Sequence, residues 1–167
     1  MAASETLIRS YYAAFNAGDA EAMLALLTDD VIHDINQGPR ETGRAAFRAF
    51  LDRMNTHYRE ELRDLVVMVE PTGCRAASEF TVHGEYLATD AGLPEATGQR
   101  YVLPAGAFFE IRAGRIARVS NTYNLVDWIR QVGGCGGAGG ATPPAPPLNR
   151  RPRRGWTRRA SSGRSRG

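Results

Sequence analysis

Apolar residues near the start of the chain recur at helical spacing. Leu7, Ile8, Tyr11, Tyr12 and Phe15 lie on one side of a helix over Thr6 to Asn16, and Gly18 is a stop signal just beyond it. Asp19 is a cap for a second helix whose buried side carries Met23, Leu24, Leu26 and Leu27. Thr28-Asp29-Asp30 ends that helix, and Val31 to Asn36 reads as a short strand. Gln37-Gly38-Pro39 is turn chemistry, and Thr42-Gly43 leads into a third helix with Ala46, Phe47, Phe50, Leu51 and Met54 on its apolar side.

From Tyr58 the period shortens towards two. Leu62, Leu65, Val67 and Val69 mark a strand that ends at Pro71-Thr72-Gly73. Arg75 to Ala88 alternates clearly, with Phe80, Val82 and Tyr86 on one face and Glu79, Thr81, His83 and Glu85 on the other. A Gly- and Pro-containing loop runs from Thr89 to Gly98. Two further strands, Tyr101 to Arg112 and Ile116 to Leu125, flank an Ala113-Gly114 hairpin. Three helices followed by a meandering antiparallel sheet predict an α+β fold with the helices packed on one sheet face, the curved sheet enclosing a conical hollow.

The pattern breaks after Val132. Residues 133–167 are rich in Gly, Pro and Arg and carry too few apolar side chains to offset chain entropy, so a disordered tail follows a single domain over 1–132. This division changes the meaning of the charge. The formal net charge is +3, but eight arginines lie beyond Leu148, and removing them from the 21 basic residues leaves 13 against 18 acids. The folded part is therefore mildly acidic. Nucleic-acid binding is expected only through the Arg-rich tail, if at all. The chain has no lysine, which rules out Schiff-base chemistry and a lysine base. Cys74 and Cys135 are far apart and suggest neither a disulfide framework nor a CxxC metal site. With no run approaching the roughly 20 apolar residues that span a bilayer, a cytoplasmic protein is expected.

Tyr11-Tyr12-Ala13-Ala14-Phe15-Asn16-Ala17-Gly18-Asp19, Leu27-Thr28-Asp29-Asp30-Val31 and Gly43-Arg44-Ala45-Ala46-Phe47 resemble the opening of the ketosteroid isomerase branch of the NTF2-like superfamily. Phe80-Thr81-Val82-His83-Gly84-Glu85-Tyr86, Gly92-Leu93-Pro94, Phe108-Phe109-Glu110-Ile111-Arg112 and Gly114-Arg115-Ile116 resemble the SnoaL-like polyketide cyclase branch. The resemblance covers the chain to about Val132. It implies a cone-shaped domain, a homodimer formed through the outer sheet face, no cofactor, and an apolar small-molecule ligand of steroid or polyketide type.

Carried over position by position, the resemblance places an oxyanion-stabilising tyrosine at Tyr11 and, after one deletion between Asp30 and Ile32, a general base at Asp34. The second oxyanion donor, an acid in the isomerases, falls on Ala107. Losing one such donor costs about 10²- to 10³-fold. A carboxylate in a dry cone has its pKa raised towards neutrality, which suits a base that abstracts a proton α to a carbonyl, and a facing tyrosine donates to the enolate. On the residues alone, Asp34 reads equally as a strand-edge carboxylate held by turn amides, and Tyr11 as a core aromatic.

Strand parity adds further pocket residues: Val82 and Gly84 on the middle strand, Ala107 and Phe109 on the next, and Val119, Asn121 and Tyr123 on the last. Gly84 is expected to widen the cavity. Tyr101 and Trp128 belong at its mouth or in its core. Asn121 stands where the limonene epoxide hydrolase type resembles this chain but carries a catalytic Asp, and an amide cannot act as a base. His33, next to Asp34, is expected on the opposite strand face. His33, His57 and His83 show no metal-ligand spacing. Two functions follow as expectations: a cofactor-independent isomerase- or cyclase-like enzyme, and a non-catalytic binding module of the same fold.

Overall fold

The computed structural model describes residues 1–36 and 38–133; the tail expected from residue 133 onward lies, apart from Gly133, outside the described residues. Helix α1 (Ala2–Asn16) buries Ile8, Tyr11, Tyr12 and Ala14, the face that its spacing selects. Helix α2 (Ala20–Ala25) is capped by the Asp19 carboxylate, which accepts from the Ala22 amide at 2.9 Å. It is shorter than its apolar run suggests. Leu27, expected in that helix, opens strand β1 (Leu27–Asp34) and is completely buried there. A three-residue strand, β2 (Arg40–Thr42), which the sequence did not announce, returns along β1.

Helix α3 (Arg44–His57) starts at Gly43, whose φ of +92° lets the chain reverse while its amide donates to the Val31 carbonyl at 2.8 Å. Strands β3 (Tyr58–Val69), β4 (Arg75–Tyr86), β5 (Arg100–Arg112) and β6 (Arg115–Tyr123) then build the meander. A fourth helix, α4 (Leu125–Val132), follows them, so β6 ends two residues before its expected limit. None of the described helices is long and apolar enough to cross a membrane.

The six strands form one curved, unclosed sheet in the order β2-β1-β6-β5-β4-β3. Every neighbouring pair is antiparallel except β1 with β6. Register shifts between Arg63 and Val66 and between Glu110 and Ile111 bend the long strands, as bulges do. Beside the first of these, Asn16 at the end of α1 holds Leu62 by both its amide and its carbonyl, each at 2.8 Å, which fixes α1 across the sheet.

The concave face packs on the helices. Phe80, Leu103, Phe109 and Val119 from the sheet meet Ile8, Tyr12 and Phe47, all nearly sealed from solvent. The convex face carries a chain of ion pairs that crosses five strands. Arg40 and Arg118 both hold Asp34 at 2.6 Å, Arg118 reaches Glu110 at 3.2 Å, and Arg75 holds Glu110 at 2.9 Å. Beside it Met68, Ala77 and Phe108 align across β3, β4 and β5, with Met68 and Phe108 exposed.

Candidate functional site

A cavity of about 270 Å³ lies between the concave sheet face and helices α1, α3 and α4. Its wall is mainly aromatic and aliphatic, and the polar or charged groups on it include Tyr11, His33, Arg53, Glu60, Asp90, Tyr101 and Asn121.

Strand β1 decides which side chains reach the cavity. Leu27, Val31 and His33 are buried, the last two by simple alternation, and Asp34 falls on the opposite, convex face with Ile32. The general base expected at Asp34 is therefore not in the cavity. Its carboxylate is gripped by Arg40 and Arg118, and the Arg40 hydrogen bond, followed by that of Arg118, holds its pKa below the usual carboxylate value. The alternation of His33 and Asp34 was read correctly and its sense reversed. The pairing of β1 with β6 shifts between Leu27 and Ile32, and an alignment that crosses such an irregularity by one deletion loses the parity.

His33 takes the inward place. It is 1% exposed, lies against the rings of Phe47 and Phe50 at 4.6 and 4.5 Å between centroids, and its Nε2 stands 3.1 Å from the Asn121 amide. Its Nδ1 is buried without a hydrogen-bond partner among the described residues. Burial lowers its pKa to about 4, so the ring is neutral at pH 7. The other two histidines are elsewhere. His57 Nδ1 lies 3.0 Å from the Ala88 carbonyl, and His83 is on the convex face of β4.

The second polar station is built by three strands in register. Glu60, Gly84 and Tyr101 are cross-strand neighbours on β3, β4 and β5. Since Gly84 has no side chain, the Tyr101 ring lies over it and its hydroxyl donates to Glu60 Oε1 at 2.5 Å. Gly84 thus does not widen the cavity as expected; the tyrosine occupies its space. Burial raises the Glu60 pKa, partly opposed by the Tyr101 hydrogen bond. Tyr101 in turn stands edge-on to Trp128, which also packs on Tyr58 and Tyr86. Trp128 is both core and cavity wall.

Tyr11 and Tyr12 differ sharply although adjacent. The Tyr12 hydroxyl is paired with Ser78 at 2.7 Å. The Tyr11 hydroxyl has no hydrogen-bond partner among the described residues, and its ring packs edge-on to Phe109 at 5.8 Å and lines the cavity. Burial raises its pKa well above the usual value, so it is a donor, never an anion, near neutral pH.

Of the residues expected in the pocket, Tyr11, Val82, Tyr101, Asn121 and Tyr123 line the cavity. Gly84, Ala107, Phe109 and Val119 share the concave face but are covered: Gly84 by Tyr101, the other three to 2% exposure or less. The sequence reading missed Glu60 and His33. Both carry the same signal, a titratable residue at a position whose neighbours two residues away are apolar: Tyr58, Glu60, Leu62 and Val31, His33, Ile35.

The family model described as a SnoaL-like domain matches residues 8–119. The chain belongs to the SnoaL-like family. A solved structure from Pseudomonas putida, described as a "putative polyketide cyclase", is 65% identical to this SnoaL-like chain. It superposes with a TM-score of 0.76 over 79% of this chain and 98% of its own. A second structure so described, from Xanthomonas campestris, is 59% identical, with a TM-score of 0.76 over 77% and 96%. An epoxide hydrolase of the LEH-like type from M. tuberculosis shares the fold at 16% identity, with a TM-score of 0.61 over 79% and 90%. A comparison with curated proteins returns no match. Both of these close relatives, which like this chain have the SnoaL-like fold, are described by the words "putative polyketide cyclase".

Proposed function

We propose that this SnoaL-like domain is a cofactor-independent enzyme that moves a proton α to the carbonyl of an apolar small molecule held in the cavity, as an isomerase or cyclase of steroid- or polyketide-like compounds does. The observation that carries the reading is Glu60, a carboxyl on a largely apolar wall whose pKa is raised by burial. A base whose pKa is raised towards the working pH is the arrangement that general base catalysis rewards. In the proposed step the α C–H bond breaks, the proton goes to the Glu60 carboxylate, and the electron pair moves to the carbonyl oxygen, where the Tyr11 hydroxyl donates to the enolate. Tyr101 positions Glu60 through their hydrogen bond.

The reaction class can be tested without knowing the natural substrate. The rate at which 2-tetralone exchanges its α-protons in D₂O, followed by NMR, should rise with the protein present. It should fall by about 10²-fold or more in Glu60→Gln. Equal rates for wild type and Glu60→Gln would refute the assignment. A non-catalytic binding module is the second reading, favoured by the methyl group of Ala107 where the isomerases carry an acid. It predicts binding of 2-tetralone with no exchange above buffer. A homodimer would use the convex face around the exposed Phe108; sedimentation of wild type against Phe108→Glu tests that contact.

A further inference from the structure

Among the polar groups on the cavity wall that make no hydrogen bond within the described residues are the Tyr11 hydroxyl and one end of the Asn121 amide. What fixes Asn121 is His33. The ring is neutral, so one nitrogen carries the proton and the other is bare. If the Asn121 amide nitrogen donates to Nε2, the proton sits on Nδ1, and Nδ1 is buried without a hydrogen-bond partner among the described residues. That leaves an orphaned N–H, the rarer and costlier kind of buried group. A half-turn of the amide removes it. Nε2–H then donates to Asn121 Oδ1, Nδ1 is a bare nitrogen beside the phenylalanine rings, and the amide NH₂ is turned from the histidine into the cavity that Asn121 lines.

The position on the sheet matters as well. Asn121 is the direct cross-strand partner of Ala107 on the concave face. Phe109, the next inward residue on β5, is the ring against which Tyr11 packs. Tyr11 and Asn121 therefore border the same patch of the concave face.

We propose that Asn121, oriented by His33, presents its amide NH₂ beside the Tyr11 hydroxyl, and that the two form a two-donor seat for a ligand oxygen that is, or becomes, an enolate or phenolate. This deepens the function proposed above and rests on it for the catalytic role, while the binding role stands alone. Two uncharged donors on a largely apolar wall favour an oxygen that gains negative charge, and each is worth about 10²- to 10³-fold where charge develops. Asn121 is thus a donor to the ligand, and His33 is its positioning residue.

The first test needs no ligand. In protein labelled with ¹⁵N-histidine, His33 is identified by its loss in His33→Phe. Its Nδ1 should resonate as an unprotonated nitrogen at neutral pH and its Nε2 as a protonated one; the opposite tautomer would overturn the proposal. The second test uses 2-naphthol and naphthalene as probes, with naphthol ionisation read from its emission. Asn121→Leu and Tyr11→Phe should each lower affinity for the naphtholate by about tenfold or more relative to naphthalene, the worth of one ground-state hydrogen bond to an anion. His33→Phe should match Asn121→Leu, and the double variant should lose nothing further. Equal weakening of both probes, or an unchanged naphtholate affinity, would overturn it. Glu60→Gln separates the two readings, since it should abolish proton exchange while naphtholate, freed of a like charge in the same cavity, binds no more weakly than to wild type.

Discussion

Gly84 is the position where one methyl group should do the most damage. A Cβ there would lie 2.1 Å from Tyr101 Cζ, 2.4 Å from Cε2 and 2.5 Å from the hydroxyl oxygen. These atoms belong to a rigid ring hemmed in by Trp128, so the ring must leave its seat. Displacement of a packed side chain costs about 1–3 kcal/mol. Losing the hydrogen bond to Glu60 adds about 1–2 kcal/mol, and the edge contact with Trp128 about 0.5–1 kcal/mol. Alanine is otherwise better than glycine in a strand by about 0.5–1 kcal/mol, which offsets part of this. Gly84→Ala should therefore destabilise the domain by about 3 kcal/mol, a fall in Tm on the order of 10 °C. The control is Tyr101→Ala, which removes the ring. On that background Gly84→Ala should be neutral to stabilising by about 1 kcal/mol, giving a coupling energy of about 3–4 kcal/mol in a double-mutant cycle from urea denaturation. A stable Gly84→Ala, or additive effects of the two substitutions, would refute the packing account.

Three further outcomes are expected. The folded-state pKa of Glu60 is raised above its usual 4.5, so its stabilising contribution is complete below that value and is lost as pH rises through the folded pKa. Glu60→Gln should gain stability on wild type as the pH increases from 4 to 8, measured by thermal melts, and a constant difference would contradict this. Asp34→Asn should keep α-proton exchange within about threefold of wild type, since the residue faces away from the cavity. It should lose about 1 kcal/mol of stability at pH 7, a loss that disappears as acid titrates the wild-type Asp34 through its lowered pKa. Tyr12→Phe should cost about 1–2 kcal/mol by leaving the buried Ser78 hydroxyl unpaired, and Ser78→Ala on that background should recover part of it; failure of denaturant titrations to show the recovery would mean that the pair is not coupled.

The meander was legible because it is buried on one side only. Along β4, β5 and β6 the period of two sorted Val82, Phe109 and Asn121 inward correctly, and along α1 the helical spacing of Ile8, Tyr11 and Tyr12 marked the face that is buried. The errors cluster where local pattern and tertiary context part. Leu27 continues the apolar run of α2, and only its pairing with Ile116 on β6 makes it strand. The resemblance implies an inward Asp34, and two arginines, one of them 84 residues away in sequence, hold it outward. Glu60 is hidden in the local pattern because Arg59 and Glu61 flank it. Its role comes from the empty position on β4 and the tyrosine on β5, a relation among three strands that no local window contains.

The pairing of β1 with β6 also has a kinetic meaning. Asp34 and its partner Arg118 are 84 residues apart in sequence, and apart from the short β2 hairpin, β1 has no other neighbour in the sheet. During synthesis the edge of the first strand that faces β6 must wait unpaired until nearly the whole domain has left the ribosome. Closing so long a loop is a cost met before its contacts form, which places folding on the slow side for a domain of this size. Chains interrupted before Tyr123 would hold an unpaired β1 edge, the species most exposed to misassembly with another copy.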